Sequence, residues 1–395
     1  MNRGFIVLRD VPFQRFAAEF QGSARMTKTV LITGGAGFVG SFVADELLRC
    51  GYRVRVLDAL DAQVHGESAP TYLDPEVDLI CGDIRDRDAV RRALRGVDAV
   101  FHLAALVGVG QSMYQIERYT SVNNLGTAVL LESLADQPVE RLVVASSMSI
   151  YGEGLYRAPD GTCVAGGERT LAQLQDRDWE LRDQNGVVLE PIPTPETKIP
   201  ALASVYALSK YDQERLCLIA GRAYGFDAVA LRFFNIYGPR QALSNPYTGV
   251  LAIFASRFLN NRAPLINEDG WQQRDFVHVR DVARACRLAL EVPRAAGEVF
   301  NIGSGEPRSV REVAHSLALA LDKTHIEAEI VGKYRVGDIR HCFADISRAR
   351  QILGFEPQVE WEDGLRELAG WLEGQVAIDH VESASAELAA RGLTV

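Results

Sequence analysis

The sequence predicts an α/β fold: a doubly wound parallel sheet, followed by a smaller C-terminal α/β unit. Three observations carry this prediction. From Thr29 to about Val144, short apolar or β-branched runs alternate with helical stretches. The runs lack polar alternation, which implies a sheet covered on both faces. The first run also leads into Gly34-Gly-Ala-Gly37-Phe38-Val39-Gly40, a glycine-rich turn between a strand and a helix.

The strand-like runs are Val30–Thr33, Val54–Asp58, Leu79–Cys81, Ala99–Leu103 and Leu142–Ala145, with amphipathic segments at Ser41–Cys50, Arg87–Arg95 and Leu125–Leu134. A helix opens at Tyr206 and runs to about Tyr224. Further on, helices are expected at Gly249–Asn260, Val279–Glu291, Val310–Leu321 and Ser347–Leu353, with a strand at Val299–Ile302. Residues 1–25 are expected to be a disordered arm, 26–237 the first domain with an insert at 153–203, and 238–375 the substrate-binding unit. The insert carries the turn signals Asp160-Gly161 and Asn185-Gly186. In the polar tail, 376–395, a loose terminal helix suffices.

Composition narrows the function. The 395 residues carry 42 Lys and Arg against 52 Asp and Glu, a net charge of −10. That argues against a nucleic-acid binder working through a basic face. Cys50, Cys81, Cys163, Cys217, Cys286 and Cys342 lie far apart without a CxxC pair, so no metal site and no disulfide framework are expected. Reduced thiols and the lack of a membrane-length apolar run lead to the expectation of a cytoplasmic protein.

The glycine turn lets backbone N–H groups approach a pyrophosphate at a helix N-terminus. Asp58 ends the next strand about 20 residues on, placed to bond both ribose hydroxyls of a dinucleotide. Its charge would repel a 2′-phosphate, so NAD is expected rather than NADP. Tyr206 and Lys210 stand at i,i+4 and share one helix face. A free tyrosine titrates near about 10, and lowering that to about 7 requires roughly 4 kcal/mol of preference for the phenolate. A nearby ammonium and a positive nicotinamide ring can supply it.

With these motifs in register, the chain resembles the extended short-chain dehydrogenase/reductase family from Lys28 to about Trp371. The likeness is to its NAD-dependent nucleotide-sugar epimerases of Rossmann-type fold. Gly82-Asp83-Ile84, His102-Leu103-Ala104-Ala105 and Asn123 before Gly126-Thr127 match that pattern. The resemblance implies that NAD is held by Gly34, Gly37, Phe38, Val39, Gly40, Asp58, Asp83, Ile84, Leu103, Ala104, Ala105, Asn123, Ser146, Tyr206, Lys210 and Phe233. Counting back from Tyr151-Gly152 makes Ser147 the catalytic serine beside Tyr206 and Lys210. Arg232-Phe233-Phe234-Asn235, Arg274-Asp275-Phe-Val-His-Val-Arg-Asp281 and Arg335-Val-Gly-Asp338 resemble the family's substrate segments. They imply sugar-diphosphate contacts from Asn235, Arg274 and Arg335, with Asp338 orienting Arg335 or touching the ribose, and Val107, Ser147, Ser149, Tyr206 and Val250 as further substrate-binding residues.

Dehydratases of the family carry an Asp-Glu pair after the catalytic residue, where this chain has Met148 and Ser149. A 4-epimerase acting on a UDP- or dTDP-hexose is therefore expected, of the UDP-glucose, UDP-glucuronate or dTDP-L-rhamnose class. A dehydratase, decarboxylase or reductase is the alternative, and a non-catalytic NAD-binding regulator the rival from another class. The resemblance also implies a homodimer paired through helices near Tyr119–Leu134 and Tyr206–Tyr224.

Overall fold

The computed structural model describes residues 27–66, 70–247, 249–334 and 338–394. The arm expected at 1–25 and the expected substrate residue Arg335 lie outside the described residues. Seven parallel strands form the main sheet: β1 (Thr29–Thr33), β2 (Arg53–Asp58), β3 (Asp78–Cys81), β4 (Ala99–His102), β5 (Arg141–Ser147), β6 (Asp227–Phe233) and β7 (Val299–Ile302). Their order is β7-β6-β5-β4-β1-β2-β3. The chain winds outward in both directions from between β1 and β4, which opens a crevice at the carboxyl ends of those strands.

Alternate residues of each strand feed opposite layers. Val30, Ile32, Phe101 and Val143 pack on one side with α1 (Phe38–Arg49). Leu31, Val100, Leu142 and Val144 pack on the other with α2 (Arg87–Ala93), α3 (Gly126–Asp136) and α4 (Val205–Tyr224). Every residue of β1, β4 and β5 is buried, which is why those strands show no polar alternation.

The smaller unit holds α5 (Val250–Leu259), and then α6 (Val279–Glu291) returns to the main sheet. Val282, Ala285 and Cys286 of α6 pack in the layer of α1. β7 then pairs with β6 in parallel. The expected division at 237/238 is thus not a clean break, because a parallel strand needs a crossover and α6 supplies it. Strands Asn235–Tyr237, Gln273–His278, Pro307–Ser309 and His341–Cys342 make the second sheet. It packs with α7 (Val310–Ala320) and α8 (Trp361–Leu372) around Tyr237, Phe254, Phe276, Leu317 and Trp361.

The insert folds as a three-stranded antiparallel sheet with Leu155–Arg157 in its centre. It leans on the smaller unit through buried ion pairs. Arg340, with no exposed surface, bonds Glu180 of the insert together with Glu268 and Asp269. Arg169 of the insert pairs with Glu268 at 2.8 Å. The tail corrects an expectation: α9 (Val381–Ala390) is docked rather than loose. Leu388 is buried, and Asp379 pairs with Arg257 at 3.1 Å, both side chains nearly without exposure.

Candidate active site

At the cofactor end the glycines are demanded by close backbone approach. Gly34 has φ +71°, and a Cβ there would stand 2.8 Å from the Ala104 backbone. A Cβ on Gly40 would stand 2.5 Å from the Gly34 carbonyl oxygen. Gly37 leads into α1 without a side-chain cap, leaving N–H groups free for a phosphate. The Asp58 carboxylate is fixed by the N–H groups of Ala36 (3.0 Å) and Leu60 (2.9 Å).

A cavity of about 650 Å³ runs from this cradle to the end of β5. Of the residues expected to hold NAD, all line it except Asn123. Asn123 is fully buried behind the wall, where its amide clamps the backbone N–H (2.8 Å) and carbonyl (3.1 Å) of Leu106. It shapes the loop after β4. Asp83 is gripped by the Arg85 guanidinium at 2.6 Å, which holds its carboxyl below the usual range. A backbone-tight phosphate turn, an anchored carboxylate and an apolar slot in sequence fit a dinucleotide such as NAD.

At the far end, Ser147 closes β5 and accepts from the N–H (3.2 Å) and hydroxyl (2.9 Å) of Ser149. Tyr206 sits in the first turn of α4, whose start is capped by Ser204 accepting from Ala207 N–H at 3.0 Å. Burial pushes the Tyr206 phenol up, and a hydrogen bond with Ser147 pulls the other way. Lys210, one turn on and buried, donates to Gln213 at 2.6 Å, and burial lowers its ammonium to about 8. The tyrosine lowering expected from the lysine is therefore not found among the protein's own groups, where desolvation dominates. His102 is bonded to Thr33 and Thr127, each at 2.8 Å, and burial lowers its imidazole to about 3. It is a neutral strut.

Val107, Ser149, Asn235 and Val250 also line the first cavity. A second cavity of about 260 Å³ shares the walls at Met148, Ser149, Asn235 and Tyr247 and extends to Arg274 and Asp338. The buried Oδ1 of Asn235, a residue that lines both spaces, has no hydrogen-bond partner. Arg274 donates to the carbonyls of Ile339 (2.6 Å), Gln273 (2.8 Å) and Arg340 (2.9 Å), and stands 3.5 Å from the Asp338 carboxylate. Asp275 turns inward, accepting from the N–H groups of Ser304 (2.6 Å) and Gly305 (2.9 Å).

Sequence reasoning missed Gln241, whose buried Oε1 lacks a partner in the first cavity's wall. Its signal was position, one residue past Gly238-Pro239-Arg240. It also missed the tail's share in the second cavity, for which the polar tail sequence carries no signal.

A family model described as "NAD dependent epimerase/dehydratase family" matches residues 30–169 and 186–303. The dTDP-L-rhamnose 4-epimerase of Burkholderia thailandensis is 34% identical over 350 residues, 87% of this chain and 95% of that protein. The solved UDP-glucose 4-epimerase of Thermotoga maritima with UDP-glucose aligns at 32% identity and TM-score 0.71, covering 87% of this chain and 98% of that one. A Bacillus cereus UDP-glucuronic acid 4-epimerase, in complex with UDP-glucuronic acid and NAD, aligns at 26% identity and TM-score 0.71 over 87% of this chain and 99% of that one. With the match spanning most of the chain, the protein belongs to the NAD-dependent epimerase/dehydratase family.

Proposed function

We propose that this chain is a nucleotide-sugar 4-epimerase that works with bound NAD on a UDP- or dTDP-hexose. The observation that carries this reading is the floor beside Tyr206. Ser147, Met148 and Ser149 line it, while the acidic residues lining the first cavity, Asp58, Asp61 and Asp83, all stand at its dinucleotide end. Water elimination needs an acid–base group at a second sugar carbon, and this floor offers none among the described residues.

In this reading Ser147 hydrogen-bonds the sugar's 4-oxygen and Tyr206 takes its proton, later returning it. Bound NAD supplies the hydride acceptor, and its positive ring favours the phenolate that burial disfavours. Lys210 adds its ammonium to that field. Arg274 and Asn235 hold the diphosphate and sugar while the 4-keto sugar turns over within the joined cavities. Asp338 orients Arg274. NAD is cradled by the residues of the glycine turn, Asp58, Asp83 and Ile84.

The test is turnover of UDP- and dTDP-hexoses in D₂O without added nicotinamide. The 4-epimer should form without carbon-bound deuterium. Deuterium at C3 or C5, or a need for stoichiometric reductant, would replace this reading with a dehydratase or reductase. Tyr206→Phe should lower kcat by about 10²–10⁴-fold while the purified protein keeps its NAD. Near-normal turnover would remove Tyr206 from the mechanism.

The homodimer is part of the proposal. Large apolar side chains stand exposed on the helices expected to pair: Leu125, Leu208, Leu216 and Ile219. Light scattering should give twice the chain mass. Among the described residues no helix is long and apolar enough to cross a membrane. Six unpaired cysteines suit a reducing, cytoplasmic setting.

A further inference from the structure

The second cavity is lined in part by α9, the last helix among the described residues. α9 contributes Val381, Ala384, Ser385 and Leu388 to the wall, which Met113 and Met148 also line. Leu388 is 4% exposed although it stands close to the chain's end. It faces Gly110, where a Cβ would meet both Leu388 methyl carbons at an ordinary contact distance of 3.4 Å.

The helix is anchored on both flanks. Before it, the Arg257–Asp379 pair is buried at 3.1 Å, Asn260 donates to the Ala377 carbonyl at 2.9 Å, and Ile378 N–H donates to Ser244 at 3.0 Å. After it, the Arg391 guanidinium lies 4.5 Å over the Tyr114 ring. The family model's match ends at residue 303, before this helix begins.

We propose that α9 is the outer wall of the sugar compartment and that Leu388 is a specificity-determining residue, selecting an uncharged hexose over one bearing a carboxylate or an acylamino group. The proposal rests on the nucleotide-sugar reading above. Methyl groups of Val381, Ala384 and Leu388 would strip water from a carboxylate without offering a donor in exchange. The hydroxyl of Ser385 can meet a sugar hydroxyl but cannot balance a full charge. A bulkier acylamino substituent would have to displace Leu388, whose buried side chain lines this cavity beside Gly110.

The experiment is calorimetric binding of UDP-glucose, UDP-N-acetylglucosamine and UDP-glucuronate to the full-length, NAD-loaded protein. The wild type should bind UDP-glucose tightest. Leu388→Ala should shift the ratio toward UDP-N-acetylglucosamine by about tenfold, and Leu388→Arg should shift it toward UDP-glucuronate. Leu388→Met, of similar volume, should keep the wild-type ratios and the NAD content. UDP alone should bind all four proteins alike. A wild type that prefers the glucuronate, or binds none of the three sugars, overturns the proposal. So does a common loss across all ligands with unchanged ratios, the signature of a merely structural helix. Because the readout is binding, it separates from the reaction: shifted ratios without any epimer formed would sink the 4-epimerase reading and leave the wall standing.

Discussion

Around the dinucleotide cradle the decisive contacts are between backbones, while around Arg274 they run between side chains and distant carbonyls. Gly40 is pinned by Gly34, and Asp58 by Ala36 and Leu60. Arg274 by contrast is placed by Ile339 and Arg340, and Arg340 in turn by Glu153, Glu180, Glu268 and Asp269 from three other stretches of chain. One end is a short local motif that tolerates almost no added atom. The other is an assembled surface in which each part can change if its partners do. A family that keeps one cofactor and varies its sugars is served by this division.

Substitutions can break or sharpen the contrast. The largest effect is expected at Gly40→Ala. Its methyl would meet rigid backbone at 2.5 Å, so the turn must open, and the purified protein should lose its NAD and with it all turnover. NAD released on denaturation measures this directly; a fully loaded variant would show that the cradle yields more than its geometry implies. Arg274→Ala should do the reverse, keeping NAD while weakening substrate binding. A charge-assisted contact is worth about 1.5–3 kcal/mol, or roughly 10- to 150-fold in KM. An unchanged KM would confine Arg274 to bracing the 338–340 segment.

The smallest effect on turnover belongs to the scaffold shared by both ends, where stability is what changes. An unfolded histidine takes up a proton below about pH 6.5. His102 resists protonation down to about 3, because burial and then the Lys210 charge oppose it. Between those values the unfolded chain binds the extra proton, so stability falls as pH falls, by about 1.4 kcal/mol per unit. Denaturation at several pH values should show this slope in the wild type and lose that share of it in His102→Gln. Parallel pH profiles for the two proteins would mean that His102 titrates normally.

The same contrast explains what could be read in advance. Strands buried on both faces leave uninterrupted apolar runs, so β1, β4 and β5 were legible, and so was the one-turn spacing of Tyr206 and Lys210. The direction of the Tyr206 shift was not, because it depends on burial that spacing does not report. Val299–Ile302 was legible as a strand, while the burial of its Asn301 was not, because that rests on bonds to Thr194, Tyr151 and Asp345 far off in the chain. Asn123 and Arg274 were legible by type while their partners were not, being backbone groups elsewhere in the chain. The tail offered least: in α9 only Leu388 is buried, too little for a periodic apolar pattern.

Arg340 also bears on how such a protein can be rearranged by engineering. Its guanidinium has no exposed surface and draws its carboxylates from both the insert and the smaller unit. Removing the insert would take away Glu180 and leave the cation with Glu268 and Asp269 alone, its remaining N–H groups facing a void. The insert is therefore not a detachable ornament. A chimera that moves the sugar-binding part onto another nucleotide-binding core must carry residues 153–203 with it, or replace Arg340 with a neutral side chain at the same stroke.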